Sequence, residues 1–232
     1  MPTPASSPAL FPAFVAQYSL SFDPADSTEL ALQFPGVALP ASLEGAVRKR
    51  QVEFLAGRYC AREALQACAP ECAGAAIAVG PKREPVWPTA IVGAITHVQR
   101  LASVAVARRA DTGGLGLDIE LPMDSERARE LLESIAAADE VAHLVRLTGW
   151  TSAAVLTLVF SAKETVFKCL YPQVQRYFDF RDASVVDLDL ERGRFSARLL
   201  RPLTPALPAG HLLEGRFERD ERLVCTAMVL PP

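Results

Sequence analysis

Apolar residues recur along this chain with two different periods, and the switches between them mark out its elements. From Phe14 to Phe22 they take every second position (Phe14, Ala16, Tyr18, Leu20, Phe22), the pattern of a half-buried strand. Prolines and a glycine break the stretch from Pro24 to Pro40, which reads as loop. Ser42 then stands as N-cap of a helix over Leu43 to Cys68. Its face carries Val47, Phe54, Ala61, Leu65 and Cys68, with Arg58 and Arg62 at the edge and Arg48, Lys49 and Arg50 crowding the start. Between Pro70 and Pro88, "PKREPVWP" holds too many prolines for a helix or a central strand. "GAITH" closes a short β-prone stretch. Leu101 to Ala107 is apolar and β-prone, and the turn "RRADTGG" leads from it into "LGLDIE", which predicts a hairpin.

Helical spacing returns in the second half. Ser125 to Leu147 reads as one helix and Ala153 to Leu170 as another. Beyond Pro172, Val186, Leu188 and Leu190 alternate with Asp187, Asp189 and Glu191. "RFSARLL", "HLLEGRF" and "LVCTAMVL" follow as three further strands. This order predicts an α+β protein of two comparable halves, 1–113 and 114–232.

Composition narrows the classes available. With 232 residues, 50% of them apolar, the chain can bury a substantial core. A net charge of −3 excludes a general nucleic-acid binder, so any hold on a polyanion is local. The five cysteines (60, 68, 72, 169, 225) show no CxxC spacing and leave one over, which predicts a reducing cytosol rather than a disulfide framework or zinc site. The start "MPTPASSPALFPAF" lacks the basic and apolar regions of a signal peptide, and no apolar run approaches the ~20 residues of a membrane span. A cytoplasmic, soluble protein is the expectation.

Two motifs carry candidate chemistry. In "GLGLDIE" the period of two sends Leu115, Leu117 and Ile119 to one side and Gly114, Gly116, Asp118 and Glu120 to the other. Carboxylates on one strand face lie ~7 Å apart at the backbone, near enough to converge on a hard cation, with glycines leaving that face open to a ligand. A solvated strand end is the alternative. In "FSAKETVFKC", Val155, Leu156, Val159, Val166, Phe167 and Leu170 form an apolar stripe, and Thr157, Ser161, Glu164 and Lys168 a polar one. Glu164 and Lys168 are i,i+4 neighbours, which as a surface pair contributes only ~0.3–0.5 kcal/mol. Lys163 projects from the apolar stripe and calls for an anion nearby. Arg50, Arg58 and Arg62, with Lys82 and Arg83, could gather on phosphate or simply be solvated. His97 stands alone, with no triad or zinc spacing around it.

Taken in order, "RKRQVEFLAGRYCAREAL", "KREPVWP", "GAITH", "GLGLDIE" and "FSAKETVFKCLYP" resemble the 4′-phosphopantetheinyl transferases of the enterobactin-synthetase component D type. The resemblance runs from about Arg48 to Pro172. It implies a pseudo-twofold α+β fold with CoA between two similar halves, and Mg²⁺-dependent transfer of the phosphopantetheine arm to a serine of an acyl or peptidyl carrier protein. Adenosine 3′,5′-bisphosphate is the expected second product, siderophore or other secondary-metabolite synthesis the expected setting, and a monomer the expected form. By resemblance Asp118, Glu120 and Glu164 are the metal ligands, Glu164 is also the candidate base, and Lys168 and Lys163 meet the phosphates. Arg50, Arg58, Lys82, Arg83, Thr96 and His97 match positions that hold the nucleotide and phosphates of CoA. "GAITH" departs from the family's "GSxSH", so Ala94 lacks a hydroxyl and Thr96 replaces a serine. Two other readings stay open: a different Mg²⁺-dependent nucleotide phosphotransferase, and a non-catalytic CoA- or carrier-binding module.

Overall fold

The structure is a computed structural model and describes residues 2–232. The chain divides into two compact units, one running through Leu115 and including Pro231–Pro232, the other Gly116–Leu230.

The first unit is a four-stranded antiparallel sheet covered by one long helix. In chain order it holds β1 (Thr3–Ala5), β2 (Ala16–Ser21), the short α1 (Leu30–Gln33), α2 (Arg48–Cys68), the small ribbon β3 (Ala78–Val79) and β4 (Pro85–Val86), then β5 (Ile91–Val98) and β6 (Leu101–Arg108). The sheet order is β1-β2-β6-β5. Helix α2 starts at Arg48, not near Leu43: Ser42 lies in a separate 3-10 turn, and Val47 is the N-cap without a side-chain bond. Gly45 in the intervening stretch disfavours continuation of the turn into the helix. The buried stripe keeps Ala61 and Leu65 of the predicted face but is otherwise shifted: Val47 is 75% exposed, while Val52, Leu55, Ala56, Cys60 and Ala64 are buried. Small residues form this stripe because the sheet comes close: a Cβ on Gly57 would lie 3.0 Å from Ile95. They pack on Leu20, Ile91, Val104 and Val106, each such large side chain contributing about 1.5–3 kcal/mol on burial.

The second unit packs three helices on a five-stranded sheet. It contains β7 (Gly114–Glu120) from Gly116 onward, α3 (Ser125–Ile135), α4 (Ala138–Thr148), α5 (Ser152–Val174), β8 (Ala183–Asp189), β9 (Arg194–Leu199), β10 (Leu212–Arg219) and β11 (Val224–Leu230), with sheet order β7-β11-β10-β9-β8. The hairpin predicted between Leu101–Ala107 and "LGLDIE" does not form. Strand β6 already has β2 on one edge and β5 on the other, so β7 pairs with β11 instead. The single helix predicted over Ser125–Leu147 is two, broken where Ala136 and Ala137 turn extended. The break leaves the Ile135 carbonyl available to accept from Lys163, at 2.9 Å. Thr151 caps α5, accepting from the Ala154 N–H. No single helix among the described residues is long and apolar enough to cross a membrane.

Candidate active site

The site in the second unit is built on the contact between β7 and α5. Gly116 faces the helix, and a Cβ there would overlap the Thr165 carbonyl oxygen. The glycine face of β7 is thus filled by α5 rather than left open to a ligand, correcting the sequence-based expectation. The consequence is chemical. With the helix this near, Asp118, on the same strand face as Gly116, meets Lys168 of α5.

Lys168 Nζ donates to Asp118 Oδ1 at 2.6 Å and to the Leu117 carbonyl at 3.3 Å, and stands 3.8 Å from Glu164 Oε2. Asp118 is 2% exposed. Burial alone lowers the Lys168 pKa, but Asp118 and then Glu164 outweigh it, and the amine is held above its ordinary value. Burial raises the Glu164 carboxyl, Lys168 opposes this, and Asp118 adds to the rise. Burial, reinforced by the Asp118 charge, pushes Glu120 up to about 7. Three carboxylates therefore share one ammonium, and two of them, Glu120 and Glu164, are held above their ordinary value.

The other half of the predicted polar stripe is structural. Thr157 Oγ1 accepts from the Met123 N–H at 3.0 Å and donates to the Ala153 carbonyl, fixing the segment that leaves β7. Ser161 and Thr165 form a buried hydroxyl chain with Thr226 of β11, at 2.9 and 2.7 Å. Lys163 points elsewhere as well. Its amine is buried against Glu140 Oε2 at 2.9 Å, so the anion its position called for is supplied by the protein.

Mg²⁺ fits the kind of donors present, since oxygen ligands carrying excess negative charge suit a hard divalent cation. As they stand, no three Asp, Glu, His or Cys side chains among the described residues are gathered closely enough to hold a metal. Lys168 occupies the near side of Asp118 instead.

The first unit contributes a cleft of about 490 Å³ whose walls include Arg50, Phe54, Arg58, Arg83 and His97. Arg58 lies over the Phe54 ring, 4.6 Å from its centroid, and its Nε donates to the Ile77 carbonyl at 2.8 Å. Burial and then the neighbouring Arg50 guanidinium lower its pKa to about 10. It remains cationic at neutral pH, and its partners are carbonyls and the Phe54 ring rather than a carboxylate. Arg50 Nη1 stands 3.5 Å from His97 Nε2. Arg83 adopts a left-handed backbone, φ 69°, in the turn joining β3 to β4. A non-glycine residue pays for that conformation, and such positions cluster at ligand sites.

The cleft does not gather every predicted residue. Thr96 is buried on the opposite face of β5 from His97, as the strand period requires. Lys82 lies in the same turn as Arg83 but is exposed, with its N–H donating to Glu84 Oε2. Phe54, read from the sequence as part of the apolar helix face, and Gly57, to which the sequence assigned no role, both line the cleft.

A cationic cleft and an acid–lysine cluster on an α+β scaffold are the kinds of group that phosphoryl transfer draws on. Comparison with known proteins makes this specific. The 4′-phosphopantetheinyl transferase N-terminal domain matches residues 39–107, and the 4′-phosphopantetheinyl transferase superfamily matches residues 114–225. The chain is 36% identical to 4′-phosphopantetheinyl transferase Svp of Streptomyces mobaraensis over 222 residues, 90% of this chain and 83% of that protein. It is 34% identical to PptT of Mycobacterium tuberculosis over 224 residues, covering 93% and 92%. Enterobactin synthase component D of Escherichia coli K12 is 36% identical over 169 residues, covering 72% and 75%. The chain belongs to the 4′-phosphopantetheinyl transferase superfamily, enzymes that move the phosphopantetheine arm of CoA onto carrier proteins.

Proposed function

We propose that this transferase primes an apo acyl or peptidyl carrier protein with Mg²⁺ as its metal, and that it serves siderophore or related secondary-metabolite synthesis. The similarity to enterobactin synthase component D supports that setting. The carrier serine oxygen attacks the phosphorus bearing the pantetheine, the bond to the adenosine-side phosphate breaks, and adenosine 3′,5′-bisphosphate leaves. The observation that carries the reading is the clasp of Lys168 between Asp118 and Glu164, at 2.6 and 3.8 Å.

Asp118, Glu120 and Glu164 would hold Mg²⁺, which when bound neutralises charge on the pyrophosphate. Glu164, its carboxyl raised by burial, accepts the serine proton. Lys168 carries a proton held firmly by its neighbours and presents that charge to the departing phosphate. In the first unit Arg50, Arg58, Arg83 and His97 hold the nucleotide end of CoA, with Lys82 in the same turn at the edge. Thr96, buried on the other face of β5, is not among the residues that line the cleft. The enzyme works as a monomer.

Incubation with CoA, Mg²⁺ and an apo carrier tests the reading, with mass spectrometry of the carrier as readout. A gain of one phosphopantetheine that needs Mg²⁺ supports it. No gain across acyl, peptidyl and aryl carriers would overturn it.

A further inference from the structure

One buried charged knot lies behind the acid–lysine cluster. Lys163 Nζ donates to Glu140 Oε2 and to the Ile135 carbonyl, both at 2.9 Å. The second oxygen of Glu140 accepts from the Val185 N–H at 2.8 Å. The two side chains are 2% and 4% exposed. The knot therefore joins α5 to the end of α3, the first turn of α4 and strand β8.

Cohesion alone does not call for such a pair. Replacing a buried ion pair by apolar residues of similar volume is often neutral or stabilising by about 1–4 kcal/mol. Apolar packing resists separation but allows a helix to turn or slide a little about its axis, whereas three directed hydrogen bonds do not. Lys163 immediately precedes Glu164, so whatever fixes the direction of its stem also fixes the direction of Glu164. A side-chain tip about 6 Å from the helix axis moves about 1 Å for a 10° rotation. Misplacement of that size at a reacting group costs up to about 100-fold in rate.

We propose that Glu140 is a positioning residue for the transfer reaction: through Lys163 it sets the rotation of α5, and so where Glu164 and Lys168 stand against Asp118. The proposal rests on the assignment of Glu164 and Lys168 to the reacting site.

The test is the double variant Glu140→Gln/Lys163→Met. It removes both charges together, and the Gln oxygen can still accept from Val185. Three quantities are compared with wild type: the thermal midpoint, CoA affinity by calorimetry and kcat for carrier modification. The expected result is a kcat lower by about fivefold or more, with CoA affinity within about threefold. A smaller fall in kcat overturns the proposal, as does a fall matched by an equal loss of CoA affinity, which marks general loosening. If the double variant does not fold, Glu140→Asp decides by the same thresholds, since it keeps the charge but draws it back by one methylene. Glu164→Gln is run in parallel. Wild-type turnover in that variant removes the site assignment itself, an outcome separate from failure of the Glu140 proposal.

Discussion

Lys168 reaches across from α5 to Asp118 on β7, and its amine is nearer that carboxylate, at 2.6 Å, than the Glu164 carboxylate one helical turn away, at 3.8 Å. The i,i+4 pair visible in the sequence is therefore the longer of its two carboxylate contacts. Lys168→Met is expected to lower turnover by about 100-fold, or about 2.7 kcal/mol in barrier, and Lys168→Arg to recover part of it. Steady-state transfer to a carrier checks this, and a loss below about tenfold in Lys168→Met refutes the assigned role.

Glu164→Gln keeps the shape of the side chain and removes its basicity. Turnover is expected to fall by at least about 100-fold while CoA affinity changes far less, because the change lies at the reacting end. Calorimetry with CoA and single-turnover transfer, run on the same preparation, separate the two effects.

Arg58 is held by the Ile77 carbonyl and stacked on Phe54 in the cleft of the first unit. Arg58→Ala is expected to weaken CoA more than dephospho-CoA, because the nucleotide end that Arg58 is proposed to hold carries the 3′-phosphate that dephospho-CoA lacks. Equal losses for both ligands place that phosphate elsewhere.

Gly116 permits the close approach of α5. Gly116→Ala forces a methyl against the Thr165 carbonyl and should destabilise the protein by about 1–3 kcal/mol, the range for overpacking. Urea unfolding measures it. An unchanged midpoint together with full activity contradicts the packing described.

Burial pushes the thiols of Cys60 and Cys225 up to about 12, and Cys169 higher than its ordinary value too. At pH 8 the native protein should therefore alkylate only at the partly exposed Cys68 and Cys72. The sign for stability follows. The unfolded chain loses these protons above its ordinary thiol value of 9.0 while the native state keeps them, so stability is full below that pH and falls as pH rises toward about 12. Peptide mapping after labelling and denaturation at pH 8 and pH 10 check both statements.

Much of the site was legible because its signals are local. The alternation of "GLGLDIE" put Asp118 and Glu120 on one face, and helical spacing put Glu164 beside Lys168. What stayed hidden depended on distant partners. Nothing near Lys163 in sequence announces Glu140, whose burial follows from the helix break at Ala136 and Ala137, two residues with no breaking propensity of their own. The false hairpin arose because adjacent strands usually pair, and only the full sheet shows both edges of β6 taken. Thr96 and His97 are neighbours in sequence, but the strand separates them by turning alternate side chains to opposite faces.

Strand β7 has one neighbour in its sheet, and that neighbour is β11, Val224–Leu230. On a ribosome the acid-bearing strand emerges well before the strand that seats it, and α5 leaves the tunnel between the two. The first unit can fold while the chain is still growing, but Asp118 and Glu120 cannot take their places until nearly all of the second unit has been made. The two acids thus wait for Val224–Leu230, and a nascent chain stalled before Val224 would carry the motif without the strand that seats it.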